Sequence, residues 1–365
     1  MTNSLSSSKQ LRVGYVPYTA SLDHPADRRR IAGWAKCRNI ELVVDRPLDS
    51  DLLVLSNSSN FDYWIKRASQ PIILDLVDGY LGENPSLLKD ILRNILRTFN
   101  RTSSIKWISY TRHLRSACQR SSAIVVASPE QRELALQFNS NVFVISDDHF
   151  EIDLLKEHGN NDVEHDQRTF IFWEGFGFTL KHFDAIAKVL DTFLNNNNLG
   201  MFLVTTKVFP RWGGFLGKVE TRKIIRKYFP RSHNQIEIVE WSLDNLVKYA
   251  NRSKFAIIPV NLNDHFAIYK SENKLLSMWH LGLATLCSDI PAYRRVASQA
   301  FQNDICLSGA DWESALERFF SDSRLLREMQ KRSREFLNAN HSHEQILSKW
   351  DLVLLNTLED FEPSM

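Results

Sequence analysis

Short apolar runs alternate along the chain with longer amphipathic or polar stretches. In the first half the runs are Leu11 to Val16, Ile40 to Val44, Leu52 to Leu55, Pro71 to Leu76, Ala123 to Ala127 and Val142 to Ile145. The rhythm returns at Phe170 to Trp173, Met201 to Thr205, Ile236 to Val239, Phe255 to Val260, Ala284 to Cys287 and Ile305 to Leu307. Continuous apolar segments of this length, spaced far enough apart for crossover helices, predict parallel strands covered on both faces. Two α/β domains follow, each a doubly wound, Rossmann-like sheet.

The boundaries come from where the pattern lapses. Residues 1–10 are polar and read as a disordered lead-in, neither signal peptide nor anchor. The first domain is assigned to 11–150 and the second to 169–340. Between them 151–168 is charged and poor in apolar residues after Leu155, which suits a linker. The segment 341–358 carries Ile346, Leu347, Trp350, Leu352, Leu354 and Leu355 on a final helix, an apolar face available to pack back across the first domain.

Composition narrows the chemistry. With 365 residues and 43% apolar content, two full-size cores are expected. Formal net charge is only +2, so any basic function must come from local clustering, and nucleic-acid binding by the whole chain is not expected. No apolar run reaches the ~18 residues that span a bilayer. Cys37, Cys118, Cys287 and Cys306 are widely separated, with neither Cys-x-x-Cys nor a nearby ligating His, and read as reduced, mostly buried thiols. These features suit a cytoplasmic protein.

One local cluster is basic. Residues 86–120 hold eight Lys/Arg against the single carboxylate Asp90, and Lys89, Arg93, Arg97 and Arg101 recur opposite an apolar stripe. This suits peripheral contact with the anionic inner face of a membrane, a charged acceptor, or a core-packed helix with a solvated basic face.

The turns after the strands exclude common reactions. Gly14-Tyr15-Val16-Pro17-Tyr18 and Gly175-Phe176-Gly177 lack the full dinucleotide fingerprint, which argues against hydride transfer on NAD. There is no Gly-x-Ser-x-Gly elbow, Walker loop or His-Glu-x-x-His. What remains is cationic. Lys181 lies six residues after Gly175, Lys207 and Arg211 follow the second strand of the second domain, and Lys270, Asn273 and Lys274 precede the fifth. The run Tyr269 to Asp289 reads as a polar loop, a helix beginning near Ser271-Glu272-Asn273-Lys274, a Gly282 stop and a buried strand. A helix start flanked by fixed cations suits a phosphate or diphosphate, whose growing charge on bond breakage it would stabilise.

In the same order stand Gly175 and Lys181, the strand ending at Trp241, Asp244-Asn245-Leu246 opening a helix, an Ile-Ile-Pro strand, and the loop–helix–Gly–strand–Ser-Asp-Ile-Pro-Ala-Tyr-Arg run from Lys270 to Arg294. In this the second domain resembles the nucleotide-sugar domain of retaining glycosyltransferases with the GT-B fold, two Rossmann-like domains facing a cleft. The organisation matches over 11–340 and the motifs over 170–295. The resemblance implies a transferase moving a sugar from a nucleotide-diphosphate-sugar donor, with the first domain binding the acceptor. It implies that Ser271, Glu272, Asn273 and Lys274 hold the donor diphosphate with Lys181. Two departures stand out. Phe176 takes the place of an Arg, and Tyr269 and Ser277 take the places of two glutamates, the second of which holds donor ribose.

The residues expected to carry the chemistry are therefore Lys181, Lys274 and Lys207, with Gly175, Trp241, Ser271, Glu272, Asn273 and Ser277 on the donor. Trp241 reads either as part of a base pocket or as packing. Arg211, His24 and Asp78 are assigned to substrate, and an inverting route would take its base from His24, Asp75 or Asp78; Asp75 and Asp78 also read as capping residues, and His24 as a solvated loop residue. No metal and no cofactor is expected, since lysines take the metal's place, no Asp-x-Asp motif occurs, and Asp264 and His265 stand isolated. The acceptor, whether sugar, lipid-linked or protein, stays open. So do a nucleotide-sugar epimerase of the same fold and a non-catalytic nucleotide-sugar-binding protein.

Overall fold

The structure is a computed structural model that describes residues 11–82, 90–91, 94–95, 109–157, 170–210 and 217–361. It divides into two compact units, residues 1–148 with 344–365, and residues 149–343.

The first unit is built on six parallel strands, β1 (Arg12–Val16), β2 (Glu41–Val43), β3 (Leu52–Ser56), β4 (Ile72–Leu76), β5 (Ala123–Val126) and β6 (Val142–Val144), in the order β2-β1-β3-β4-β5-β6. Alternation along each strand sends side chains to two separate cores. Leu53, Leu55, Leu74, Ile124 and Val126 pack on one face with Leu114 and Ala117 of the helix Tyr110–Arg120. Val13, Tyr15, Leu52, Val54, Ile73 and Val125 pack on the other with Ile346, Leu347, Trp350, Val353 and Leu354. Those last residues belong to the helix His343–Glu359, which thus covers one face of the first sheet from the far end of the chain. Polar contacts fix its position. Trp34 Nε1 donates to Asp351 at 2.7 Å, and Arg38 pairs with Asp351 and Glu344, each at 2.7 Å.

In the second unit β7 (Phe170–Glu174), β8 (Gly200–Val204), β11 (Ile236–Val239), β12 (Phe255–Ile258), β13 (Thr285–Ser288) and β14 (Cys306–Leu307) form a parallel sheet ordered β11-β8-β7-β12-β13-β14. Successive strands are added outward in opposite directions from β7 and from β12, so the carboxyl ends of these two parallel strands flank the unit's topological switch point, where open α/β sheets bind ligands. A two-stranded antiparallel ribbon, β9 (Val208–Pro210) with β10 (Lys218–Glu220), lies outside the alternating pattern and was not expected.

The expected linker is in part helical. Phe150–Glu157 forms a helix whose Ile152 is in the core of the second unit, and Lys156 Nζ donates to His280 O at 2.7 Å. Residues 158–168 lie outside the described residues, as does most of the basic segment 86–120. Within its described part Arg112, Arg115 and Arg120 are exposed. No helix among the described residues is long and apolar enough to cross a membrane. None of the four cysteines forms a disulfide, and Cys37 is exposed rather than buried. Cys287 and Cys306 are register partners on β13 and β14, with their sulfurs 3.7 Å apart.

Candidate functional site

At the end of β7 the chain turns at Gly175, whose N–H donates to Val204 O at 3.2 Å. A 3-10 helix, Gly177–Ala185, follows. Gly175 has φ of +156°, and a Cβ there would lie 2.8 Å from Lys274 Nζ, 2.9 Å from Thr179 Oγ1 and 3.0 Å from the Trp173 ring. The missing side chain at Gly175 is the space that the lysine fills. Lys274 sits in the first turn of the helix Asn273–His280, yet its ammonium reaches back to β7. It donates to Glu174 O at 2.7 Å, lies 3.8 Å from Glu174 Oε1 and stands 5.2 Å from the Trp173 ring centroid. Burial lowers the Lys274 pKa, the charge on Lys270 lowers it further, and Glu174 opposes the shift.

The segment after β12 closes the other side of the switch point. Asp264 caps the short helix His265–Ile268 by accepting from Phe266 N at 3.2 Å, and its second oxygen accepts from Lys181 Nζ at 2.7 Å. Burial raises the Asp264 pKa. The bond and charge of Lys181, with the Ala267 N–H and His182, outweigh burial and hold it below the ordinary carboxylate value. Asp264, isolated in the sequence, is thus the partner of Lys181. Beside it, Asn261 N donates to His182 Nδ1 at 3.3 Å. His182 is buried, and burial with Lys270, Lys181 and Lys274 pushes its pKa from 6.5 to about 4, against the pull of Asp264. Near neutral pH it is an uncharged imidazole among three ammonium groups.

The helix start itself has no side-chain cap, because Glu272 at the N-cap position makes no cap hydrogen bond. Instead its buried carboxylate pairs with Arg295 at 2.9 Å, so this residue is engaged within the fold. Ser271 and Ser277 are buried, Ser277 within the body of the helix, and Asn273 is half-buried at its first position. Lys270 lies 5.3 Å from the Phe266 ring. Gly282, at φ +78°, ends the segment as the sequence suggested.

Structure therefore gathers Gly175, Lys181 and Lys274 around the switch point, with Glu174, His182 and Asp264, none of which sequence reasoning selected. A signal for His182 existed in its position next to Lys181, but only tertiary contact gave it meaning. The other expected residues are placed differently. Lys207 is exposed; its backbone N–H donates to Glu240 Oε2 at 3.3 Å, and no contact ties its side chain to this cluster among the described residues. Trp241 is half-buried against the core of the second unit, the packing alternative. Arg211 lies outside the described residues. Phe176 and Phe178 are 51% and 58% exposed and stack on each other at 5.5 Å, so no cation stands at position 176.

In the first unit, His24 Nδ1 accepts from Ala26 N at 3.2 Å and its ring stacks on Tyr18 at 4.8 Å. It is a helix cap rather than a solvated loop residue, and burial lowers its pKa while Asp27 and Asp78 oppose this. Asp78 is half-buried next to the 3-10 turn Tyr80–Gly82. Asp75 is buried against Arg30, at 2.6 Å, and Arg30 also holds Asp147 at 3.1 Å, so Asp75 is committed to a buried ion network. Among the described residues no group of His, Cys, Asp and Glu has the arrangement of a metal site.

No protein-family model and no curated protein matches the chain. Solved structures do. An alpha-glucosyltransferase in complex with UDP and a 13-mer DNA containing an HMU base matches with a TM-score of 0.59 at 12% identity, over 95% of this chain and 100% of the other. S. aureus MnaA with UDP matches with a TM-score of 0.55 at 12% identity, over 98% of this chain and 100% of the other. A mutant of S. aureus TarM, in complex with fondaparinux, alpha-GlcNAc-glycerol and UDP, matches with a TM-score of 0.58 at 12% identity over 85% of this chain. The match spans 55% of the TarM chain, about half its length. With two six-stranded parallel sheets and these likenesses, the chain has the GT-B fold.

Proposed function

We propose that the protein is a glycosyltransferase that moves a sugar from a nucleotide-diphosphate-sugar donor to an acceptor. The observation that carries this reading is Lys274. It joins the helix start of the sequence motif to the Gly175 turn, so that the two segments that resemble a donor site are one site in space. Around it three lysines, at 181, 270 and 274, face two carboxylates, Asp264 and Glu174. That leaves one net positive charge, a field that attracts an anion such as a diphosphate. Lys181 is more than half exposed and can exchange Asp264 for phosphate, while Lys274 is held in place to meet charge developing on the leaving oxygen. The first amides of the helix Asn273–His280, with Ser271 and Asn273, would orient that group.

The reaction we favour is retaining and metal-independent. The leaving phosphate assists attack from the face it vacates, lysines supply the positive charge, and no protein nucleophile is required. The buried pairing of Asp75 with Arg30 weighs against it as the base of an inverting route. The acceptor is a sugar, a lipid-linked molecule or a protein. UDP is present in the neighbouring structures, and we take a uridine diphosphate donor as the first to test. The formal net charge of +2 argues against a nucleic-acid acceptor, because duplex binding rests on neutralising many phosphates. The test is a screen of nucleotide sugars for thermal stabilisation, followed by donor turnover with candidate acceptors. Stabilisation by no nucleotide sugar would end the proposal. Turnover of donor without acceptor would redirect it to an epimerase.

A further inference from the structure

His182 stands where the segments of the switch point meet. It lies in the 3-10 helix after β7, accepts a hydrogen bond from the chain just after β12, and feels the charges of Lys270 and Lys274. Its Nδ1 is occupied by the Asn261 N–H at 3.3 Å. An imidazole that accepts at Nδ1 and is neutral must carry its proton on Nε2. Nε2 makes no hydrogen bond among the described residues, and the side chain, though buried, keeps 8% of its surface exposed. The groups whose charge acts on the ring are Lys181 of its own helix, Asp264 of the loop after β12, and Lys270 and Lys274 at the next helix start. Three of the four are cations, so the field at the ring suits an anion and opposes a second proton on the imidazole.

We propose that His182 is a binding residue of this site, its Nε2–H donating to a phosphate oxygen of the donor. The inference rests on the donor-site reading above and adds to it a neutral donor with a fixed tautomer. The lysines attract the phosphates through charge. The imidazole fixes the direction of one oxygen, because its ring is anchored by the main chain on the opposite side. It also keeps that donor without adding a fourth cation to a crowded site.

Two substitutions separate a binding role from a structural one. His182→Asn retains an acceptor that can reach the Asn261 N–H and removes the distal donor. His182→Gln places an amide N–H near the position of Nε2 and gives up the proximal acceptor. UDP, GDP, ADP and CDP are titrated calorimetrically into wild type to find the nucleoside diphosphate it binds, and both variants are then titrated with it. Thermal unfolding without ligand checks their folding. The expected result is about a tenfold loss of affinity for His182→Asn, the scale of one hydrogen bond to a charged group, with partial recovery for His182→Gln. In wild type labelled with 15N-histidine, the ring should show the Nε2–H tautomer, and that resonance should move on nucleotide binding.

Affinity unchanged in His182→Asn, or lower in His182→Gln than in His182→Asn, overturns the proposal and leaves the donor site standing. An Nδ1–H tautomer, or an Nε2 resonance indifferent to ligand, does the same even if neither variant folds. Wild type that binds none of the four nucleotides overturns both readings together.

Discussion

Replacing Lys274 with methionine keeps the aliphatic stem and removes the ammonium from the Gly175 turn. In the absence of ligand the cost should be small. The variant loses one charge-assisted hydrogen bond, at 2.7 Å to Glu174 O, worth about 1.5–3 kcal/mol, and a contact with Trp173 worth about 0.5–1 kcal/mol. Against this, the ammonium's burial cost, visible in its lowered pKa, disappears. The net change is therefore smaller than the roughly 2–4 kcal/mol of lost contacts. Ligand binding should respond far more. A unit charge 4 Å from a phosphate oxygen contributes roughly 4 kcal/mol at an effective dielectric of about 20. The Lys274 side chain is 27% exposed and Glu174 Oε1 lies 3.8 Å away, so about half of that is realised. About 2 kcal/mol corresponds to a roughly 30-fold weaker nucleotide complex. Calorimetric titration with UDP, alongside thermal unfolding of the free protein, measures both quantities. A variant with wild-type melting and a nucleotide dissociation constant within threefold of wild type would refute the assignment of Lys274 to the phosphate.

Gly175→Ala places a methyl 2.8 Å from Lys274 Nζ and should weaken nucleotide binding by displacing the ammonium; combined with Lys274→Met it should add little, which a double-mutant cycle measures. His182 has a folded pKa of about 4 against 6.5 when free, so between these values the unfolded state binds more protons and stability rises with pH. Denaturant titrations from pH 4 to 7 should show a gain of at most about 3 kcal/mol that His182→Gln lacks. Trp350→Ala empties a fully buried position under the first sheet and should destabilise that unit by about 3–5 kcal/mol, seen as an earlier unfolding transition while the second unit's transition stays in place. Asp75→Asn should destabilise the first unit by roughly 3 kcal/mol by leaving Arg30 with Asp147 alone, and unfolding melts distinguish this from a catalytic effect.

The twelve strands of the two sheets were legible as apolar runs because a parallel strand inside a sheet is buried on both faces and cannot hide its composition; the edge strand β2, with no buried residue, was legible from its apolar run alone. The β9–β10 ribbon was not, since both ends of Val208–Pro210 and of Lys218–Glu220 are exposed and carry no such signal. Of the site, the lysines could be read because a cation after a strand and a helix start are local features. Glu174, His182 and Asp264 could not, since each acquires its role from a partner: Lys274 is 100 residues from Glu174, Asp264 is 83 from Lys181, and Asn261 is 79 from His182. Nor could the sequence show that Glu272 is paired with Arg295.

By itself, then, the sequence determined the α/β class, the number and place of the sheet strands, and the helix start with its Gly282 stop, all of which follow from burial and backbone preference over a few residues. Tertiary structure decided the strand order, and with it which loops meet at the switch point. It also decided that the final helix covers the first sheet, that Cys287 stands beside Cys306, and that Gly175 stands against a lysine from another segment. Periodicity reports which face of an element is buried. It does not report what buries it, and a charged side chain becomes a binding group only through that second fact.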